Sequence, residues 1–423
     1  MRILLIRFEF ENFKSFKDKN IFSMECVNRC KDFREINTFK TEKKELLKSA
    51  LVFGANASGK SNLFKALYTM KRMVTMSVLP INVVNSVEPY KFCNENINKP
   101  TTFEIEILID GITYIYGFSV QNHEVKEEWL YKNKLRKTLL FERTSSDYKD
   151  IKLYGEFQTE EKIKERVSNK SLMLSVSAML NNPIAITITK WFLDLEFLGI
   201  LDEKSDLERN IRYLEENPEF KNRIIEYLMN ADFGISDFKF EIEEVKSKDT
   251  NSEEMLNQEI DFDMNIEVVR KKVSLNTIHK VYDDNNKIVG DIELPLIKHE
   301  SNGTKKLFSM IAVMLKVLNN GGVLIIDEID AKLHPQLVRM LIKLFNSIDN
   351  NISNSQLICS SHDILLLDEE IRRDQIWFVN KDEYTISELY CLCEYVGVRK
   401  DSKLLKKYLL GMFDAVPFKR GGM

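Results

Sequence analysis

The chain contains no apolar run of about 18 residues, the least that a transmembrane helix needs, and the apolar stretch from Met1 to Arg7 is too brief for a signal peptide. Both absences lead to the expectation of a cytoplasmic protein with no membrane partner. Cysteine is sparse as well. Of the six present, only Cys26 with Cys30 and Cys391 with Cys393 are close, and neither pair has C-x2-C spacing, so a disulfide framework and a zinc knuckle are both unsupported. Neither sign of charge dominates. Sixty-one basic against sixty-five acidic side chains leave −4, which excludes a broad electrostatic attraction to nucleic acid and restricts any such contact to a local patch. Internal repeats and sustained heptads are also missing, which excludes solenoids and long coiled coils.

What is present describes an ordinary compact protein, with 44% hydrophobic and 30% charged residues. At 423 residues the chain exceeds the roughly 250 to 300 over which one core keeps growing, so at least two lobes are expected. Ile6 to Phe10 alternates apolar and polar residues and reads as a strand with a turn at Glu11 and Asn12. Leu51 to Phe53 reads as a short buried strand, and Leu63, Phe64, Leu67, Met70 and Met73 keep helical spacing after it. Phe103 to Ile109, then Asp110 and Gly111, then Ile112 to Phe118 carry a hairpin signature. The pattern from about Glu160 to Asn230 is helical, Trp191 to Phe197 included. Glu241 to Asp263 holds nine carboxylates against two lysines and reads as a solvated connection, after which strands resume around a turn at Asp283 to Asn286.

Between the buried strand and the helix lie Gly54, Ala55, Asn56, Ala57, Ser58, Gly59, Lys60 and Ser61, a full match to G-x4-G-K-[ST] in the strand-to-helix setting that motif requires. Glycines let backbone N–H groups approach phosphate oxygens, and the helix directs its positive end at them. Lys60 then reaches the β- and γ-phosphates, the Ser61 hydroxyl takes a magnesium position, and Asn62 opens the helix. ATP and Mg2+ are the implied ligands.

Gly321 to Ile326 reads as a central strand buried on both faces, ending in Asp327 and Glu328. In a phosphate-loop enzyme the first acid orients the magnesium shell and the second polarises the attacking water. Ile329 and Asp330 follow, and a second buried run, Leu357 to Cys359, delivers Ser360, Ser361 and His362. In isolation His362 reads as a helix cap; in this order of motifs it reads as a γ-phosphate sensor. Upstream, Glu300, Ser301, Asn302, Gly303 and Thr304 open a helix whose apolar residues run from Leu307 to Leu318. Its exposed N–H groups and Ser301 hydroxyl form an anion site, although five such residues alone also read as a plain N-cap.

The order of glycine loop, S-x-G before a helix, hydrophobic run with Asp and Glu, Asp330 loop and then histidine resembles the ATP-binding heads of the ABC superfamily. Phe8 to Phe16 and the Gly54 to Ser61 loop resemble its RecF, SMC and OLD branch, and within it the stand-alone AAA ATPases found beside bacterial restriction and abortive-infection genes. The resemblance covers about 1 to 145 and 290 to 395. It implies an α/β fold: an ABC-type P-loop ATPase head with a mixed central sheet, an antiparallel β subdomain and an inserted mainly helical lobe. The expected division is a discontinuous head at 1–150 and 266–395, an inserted lobe with the acidic connection at 151–265, and a tail at 396–423. It further implies a head-to-tail homodimer, or a higher oligomer of dimers, around two ATP molecules. There Ser301, Asn302 and Gly303 meet the γ-phosphate held by the opposite subunit, Asp330 crosses the interface, and hydrolysis is gated by dimerisation.

This chain departs from the family in one place: its first glutamine is Gln121, so the usual glutamine after the lysine is missing, and Glu88 or water fills that position. The residues after His362 contain no Asp-x-Asp, so a Toprim nuclease is not expected. The family implies an anti-phage switch that controls a separately encoded nuclease or toxin. The alternative is a RecF-like DNA-binding repair ATPase, for which the basic stretches Tyr131 to Lys137 and Lys403 to Lys407 are the candidate contacts, although solvated strand and helix faces are the better account of both.

Overall fold

The computed structural model describes residues 3–200, 203–230, 234–246, 269–395 and 403–413. The chain divides into two compact units, one of Met1–Ile200, Val317–Ala331 and Val338–Met423, the other of Leu201–Lys316 and Lys332–Leu337.

The first unit is a mixed α/β structure built on two sheets. A six-stranded sheet runs Glu196–Leu198, Val323–Ile326, Gln356–Ser360, Ser49–Phe53, Ile376–Lys381 and Ser387–Cys391, parallel throughout except for its last strand. Every residue of Ser49–Phe53, Val323–Ile326 and Gln356–Ser360 is buried, as central parallel strands covered on both faces require. The second sheet has seven strands and is antiparallel: Ile151–Leu153, Lys137–Arg143, Glu124–Asn133, Ile112–Gln121, Thr101–Ile109, Ile3–Glu11 and Asn20–Ser23. Its hairpin turns at Asp110 and Gly111, with φ of 45° and 79°, the paired positive values that an Asp-Gly turn supplies. Gln356 joins the two sheets. Its side chain accepts from Leu5 N (2.7 Å) and donates to Leu5 O (3.1 Å) and Leu47 O (3.3 Å), so a buried amide is satisfied only when both sheets keep their register.

The helix Lys60–Met76 buries Leu63, Phe64, Leu67, Met70 and Met73. The helices Met173–Met179 and Pro183–Asp194 feed the same core, which takes in Trp191 and Phe192. For this reason the structure differs from the expected lobe boundary: 151–200 belong with the first unit, and the second begins at Leu201. The expected helical reading of Trp191 to Phe197 also needs correction, since the helix ends at Asp194 and Glu196–Leu198 pairs in parallel with Val323–Ile326.

The second unit holds an antiparallel sheet of Ile235–Lys246, Val269–Tyr282 and Ile288–Pro295. The Asp283 carboxylate closes the last turn by accepting from Asn285 N and Lys287 N. Of the acidic stretch expected to be a solvated connection, Glu241 to Lys246 lies in the first of these strands, paired with 269–274, and 247–263 fall outside the described residues. Phe238 meets Phe308 edge-on at 5.2 Å, and the Asn210 side chain stitches the helix Glu203–Glu216 to Ser309 O and Val313 N of the helix Asn302–Asn320. No helix among the described residues is long and apolar enough to cross a membrane.

Candidate functional site

The phosphate loop hangs between the strand Ser49–Phe53 and the helix Lys60–Met76, whose N-cap is Gly59. Two glycines have no room for a side chain. A Cβ on Gly54 would stand 2.3 Å from Val379 O, and one on Gly59, where φ is 122°, would stand 2.5 Å from Ser387 Oγ. Lys60 is buried and its ammonium donates to Gly54 O (2.8 Å) and Ala55 O (3.1 Å). Burial lowers its pKa, while Asp327, Glu328 and Asp330 pull it back up. Ser58 Oγ is buried with no hydrogen-bond partner, an acceptor and donor held inside the loop.

The acids stand at the carboxyl end of Val323–Ile326. Asp327 is buried, and its Oδ1 accepts from Ser360 Oγ (2.6 Å), while Glu328 N donates to the same hydroxyl (2.7 Å). Ser360, the last residue of the neighbouring strand, thus fixes both acids at once. Gly199 faces them from the other side: a Cβ there would meet Asp327 O at 2.4 Å, and Leu198 O accepts from Asp327 N. Glu328 has φ 53°, in the left-handed region, and its side chain is about half exposed. His362 Nε2 lies 3.9 Å from Glu328 Oε1, and the His362 backbone N–H donates to both Asp330 carboxylate oxygens at 3.0 to 3.1 Å. Lys60, Asp327, Glu328, Asp330 and His362 are therefore brought together at the ends of adjacent parallel strands.

A family model described as "AAA domain, putative AbiEii toxin, Type IV TA system" matches residues 49–368. The chain belongs to this AAA-domain family. No curated protein matches it. The matched span of this AAA domain begins at the strand before the phosphate loop and ends just past His362, and membership makes the chain a P-loop ATPase in kind, with nucleotide binding implied. Glycines without space for a Cβ, a buried ammonium, the orphaned Ser58 hydroxyl and the buried Asp327 suit a triphosphate with a divalent cation beside it.

The Ser301 group belongs to the second unit. Ser301 Oγ accepts from Thr304 N (3.1 Å), a working N-cap for the helix Asn302–Asn320, and a Cβ on Gly303 would come within 2.9 Å of Lys332 O. Glu88 is held by two lysines, Lys14 and Lys91, which keep its carboxyl below the usual range, Lys14 contributing most. Three serines that hydrogen-bond to the loop or the acids carry no signal in the sequence that marks them. Ser360 lies in the run that delivers His362, Ser15 lies inside the Phe8 to Phe16 segment, and Ser387 carries no local signal at all.

Proposed function

We propose that this chain hydrolyses ATP to ADP and phosphate as an ABC-type switch of the RecF, SMC and OLD branch. Two copies pair head to tail, and the product state informs a separately encoded toxin or nuclease of a cytoplasmic anti-phage system. The carrying observation is the half-exposed Glu328 carboxylate standing beside His362 at a site where Lys60 and Asp327 are buried. A buried cation suits phosphate charge, and an accessible carboxylate suits a proton taken from water.

In this reading the loop N–H groups and Lys60 bind the β- and γ-phosphates, Ser61 and Asp327 hold magnesium, and Glu328 orients and deprotonates the attacking water. Magnesium supplies charge neutralisation across the phosphates. His362, 3.9 Å from Glu328, keeps that carboxylate turned toward the γ-phosphate position. Ser301, Asn302, Gly303 and Asp330 serve the twin's nucleotide. Of these, Ser301, Asn302 and Gly303 lie in the second compact unit, whereas Asp330 lies in the first with the phosphate loop.

The test compares ATP turnover of the wild type with Glu328→Gln. Loss of a general base lowers kcat by about 100-fold or more, with ATP affinity retained. Equal rates would remove Glu328 from the mechanism. Full turnover by a monomer carrying Ser301→Arg would remove the dimer.

A further inference from the structure

Two serines far apart in the sequence meet against the phosphate loop, and neither belongs to its motif. Ser387 Oγ donates to Ser58 O at 2.6 Å and accepts from Ser15 Oγ at 2.8 Å, and Ser15 Oγ in turn accepts from Asn62 Nδ2 at 2.8 Å. The backbone secures the same pair, Ser387 N donating to Ser15 O at 2.8 Å. Ser15, Ser58 and Ser387 are all buried, Ser387 to 1% exposure. Hydroxyls are costly to bury unless paired, so the presence of those of Ser15 and Ser387 here, in place of alanine, has to be matched by what they hold.

They hold both sides of Gly59, Lys60 and Ser61. Ser58 O is gripped on one side and the Asn62 side chain on the other. Because peptide bonds are planar and all are trans here, the C=O of Ser58 and the N–H of Gly59 point in opposite directions. Tying that carbonyl to Ser387 therefore aims the Gly59 N–H away from Ser387, leaving it as a donor for an anion. The fit allows no slack: a Cβ on Gly59 would lie 2.5 Å from Ser387 Oγ and 3.0 Å from Ser15 Oγ.

We infer that Ser387 and Ser15 form an external brace that shapes the phosphate loop before nucleotide arrives, making both of them positioning residues for ATP binding. The inference rests on the nucleotide reading above and adds residues of the N-terminal segment and of the strand Ser387–Cys391 to the binding apparatus. Neither serine touches the reacting atoms. The brace therefore acts on affinity, and chemistry at saturation is left to Glu328 and its neighbours.

The experiment measures ATP dissociation constants by equilibrium dialysis, and kcat at saturating ATP, for the full chain and for Ser387→Ala, Ser15→Ala and the double variant. Each single change raises Kd about fivefold or more, the equivalent of one hydrogen bond. The double variant falls short of the product of the two because both interrupt one brace, and kcat stays within about twofold of wild type. Unchanged Kd in both single variants overturns the inference, as does a fall in kcat at unchanged Kd. If Ser387→Ala does not fold, Ser15→Ala, which leaves the Ser387 bond to Ser58 O in place, decides the matter on the same two readouts. A wild-type chain that fails to bind ATP sinks the nucleotide reading and this inference together, whereas binding by the wild type with equal binding by the variants sinks this inference alone.

Discussion

Glu328 holds a backbone conformation that costs an L-residue about 1 to 2 kcal/mol, and it does so with a half-exposed side chain that gains little from packing. Strain of this kind persists where surrounding bonds enforce it, and here the Ser360 hydroxyl does so through Glu328 N. Glu328→Gly is expected to abolish turnover while stabilising the nucleotide-free chain by up to about 1 kcal/mol, read from denaturant midpoints beside ATPase rates. Ser360→Ala should act in the opposite sense. It strips the buried Asp327 carboxylate of a charge-assisted donor and is expected to cost about 1.5 to 3 kcal/mol, together with a raised magnesium requirement for ATP binding measured by titration. Lys60 gives a pH signature. Burial holds its folded-state pKa below the ordinary 10.5, so just below that value the unfolded chain binds the extra proton. Stability of the nucleotide-free chain should rise with pH in that window, and Lys60→Met should flatten the rise in a pH series of thermal unfolding.

Among elements, legibility tracked burial and locality. Ser49–Phe53, Val323–Ile326 and Gln356–Ser360 are apolar runs whose neighbours on both faces are protein, so composition alone marked them, and the Asp110 and Gly111 turn needs only two residues to specify it. Glu196–Leu198 was hidden because three residues carry no periodicity and its pairing with Val323–Ile326 is set by tertiary packing. The strand Ile235–Lys246 was hidden by its acidic composition, because its register with Val269–Tyr282 is set by a partner strand that leaves no trace along its own sequence. At the site, the phosphate loop and the acidic pair were legible as motifs, while Ser15 and Ser387 were not, since contacts 372 positions apart leave no local trace. Within the antiparallel sheet, Gly117 is a packing glycine: a Cβ there would strike Trp129 Cζ2 at 2.4 Å and Phe103 O at 2.8 Å. Gly117→Ala is expected to cost about 1 to 3 kcal/mol, seen as a lowered denaturant midpoint with nucleotide affinity little changed.

For the whole molecule, two compact units divide the proposed roles, one carrying the phosphate loop with Asp327 and Glu328, the other carrying the Ser301 cap. An arrangement in which each nucleotide needs both kinds of residue from two chains makes assembly depend on ATP. Glu328→Gln with ATP and magnesium is therefore expected to run as a dimer by light scattering, and as a monomer once Ser301→Arg is added. A dimer indifferent to both changes would detach assembly from nucleotide.

The position of Ser49–Phe53 in its sheet also constrains how the protein is made. Both strands beside it, Gln356–Ser360 and Ile376–Lys381, come roughly 300 residues later in the sequence. A ribosome has long released the phosphate loop before either neighbour emerges, and the nascent chain must carry an apolar strand without its sheet partners while the intervening residues are made. Termination before those strands leaves a product in which the strand leading into the phosphate loop has neither of its sheet neighbours.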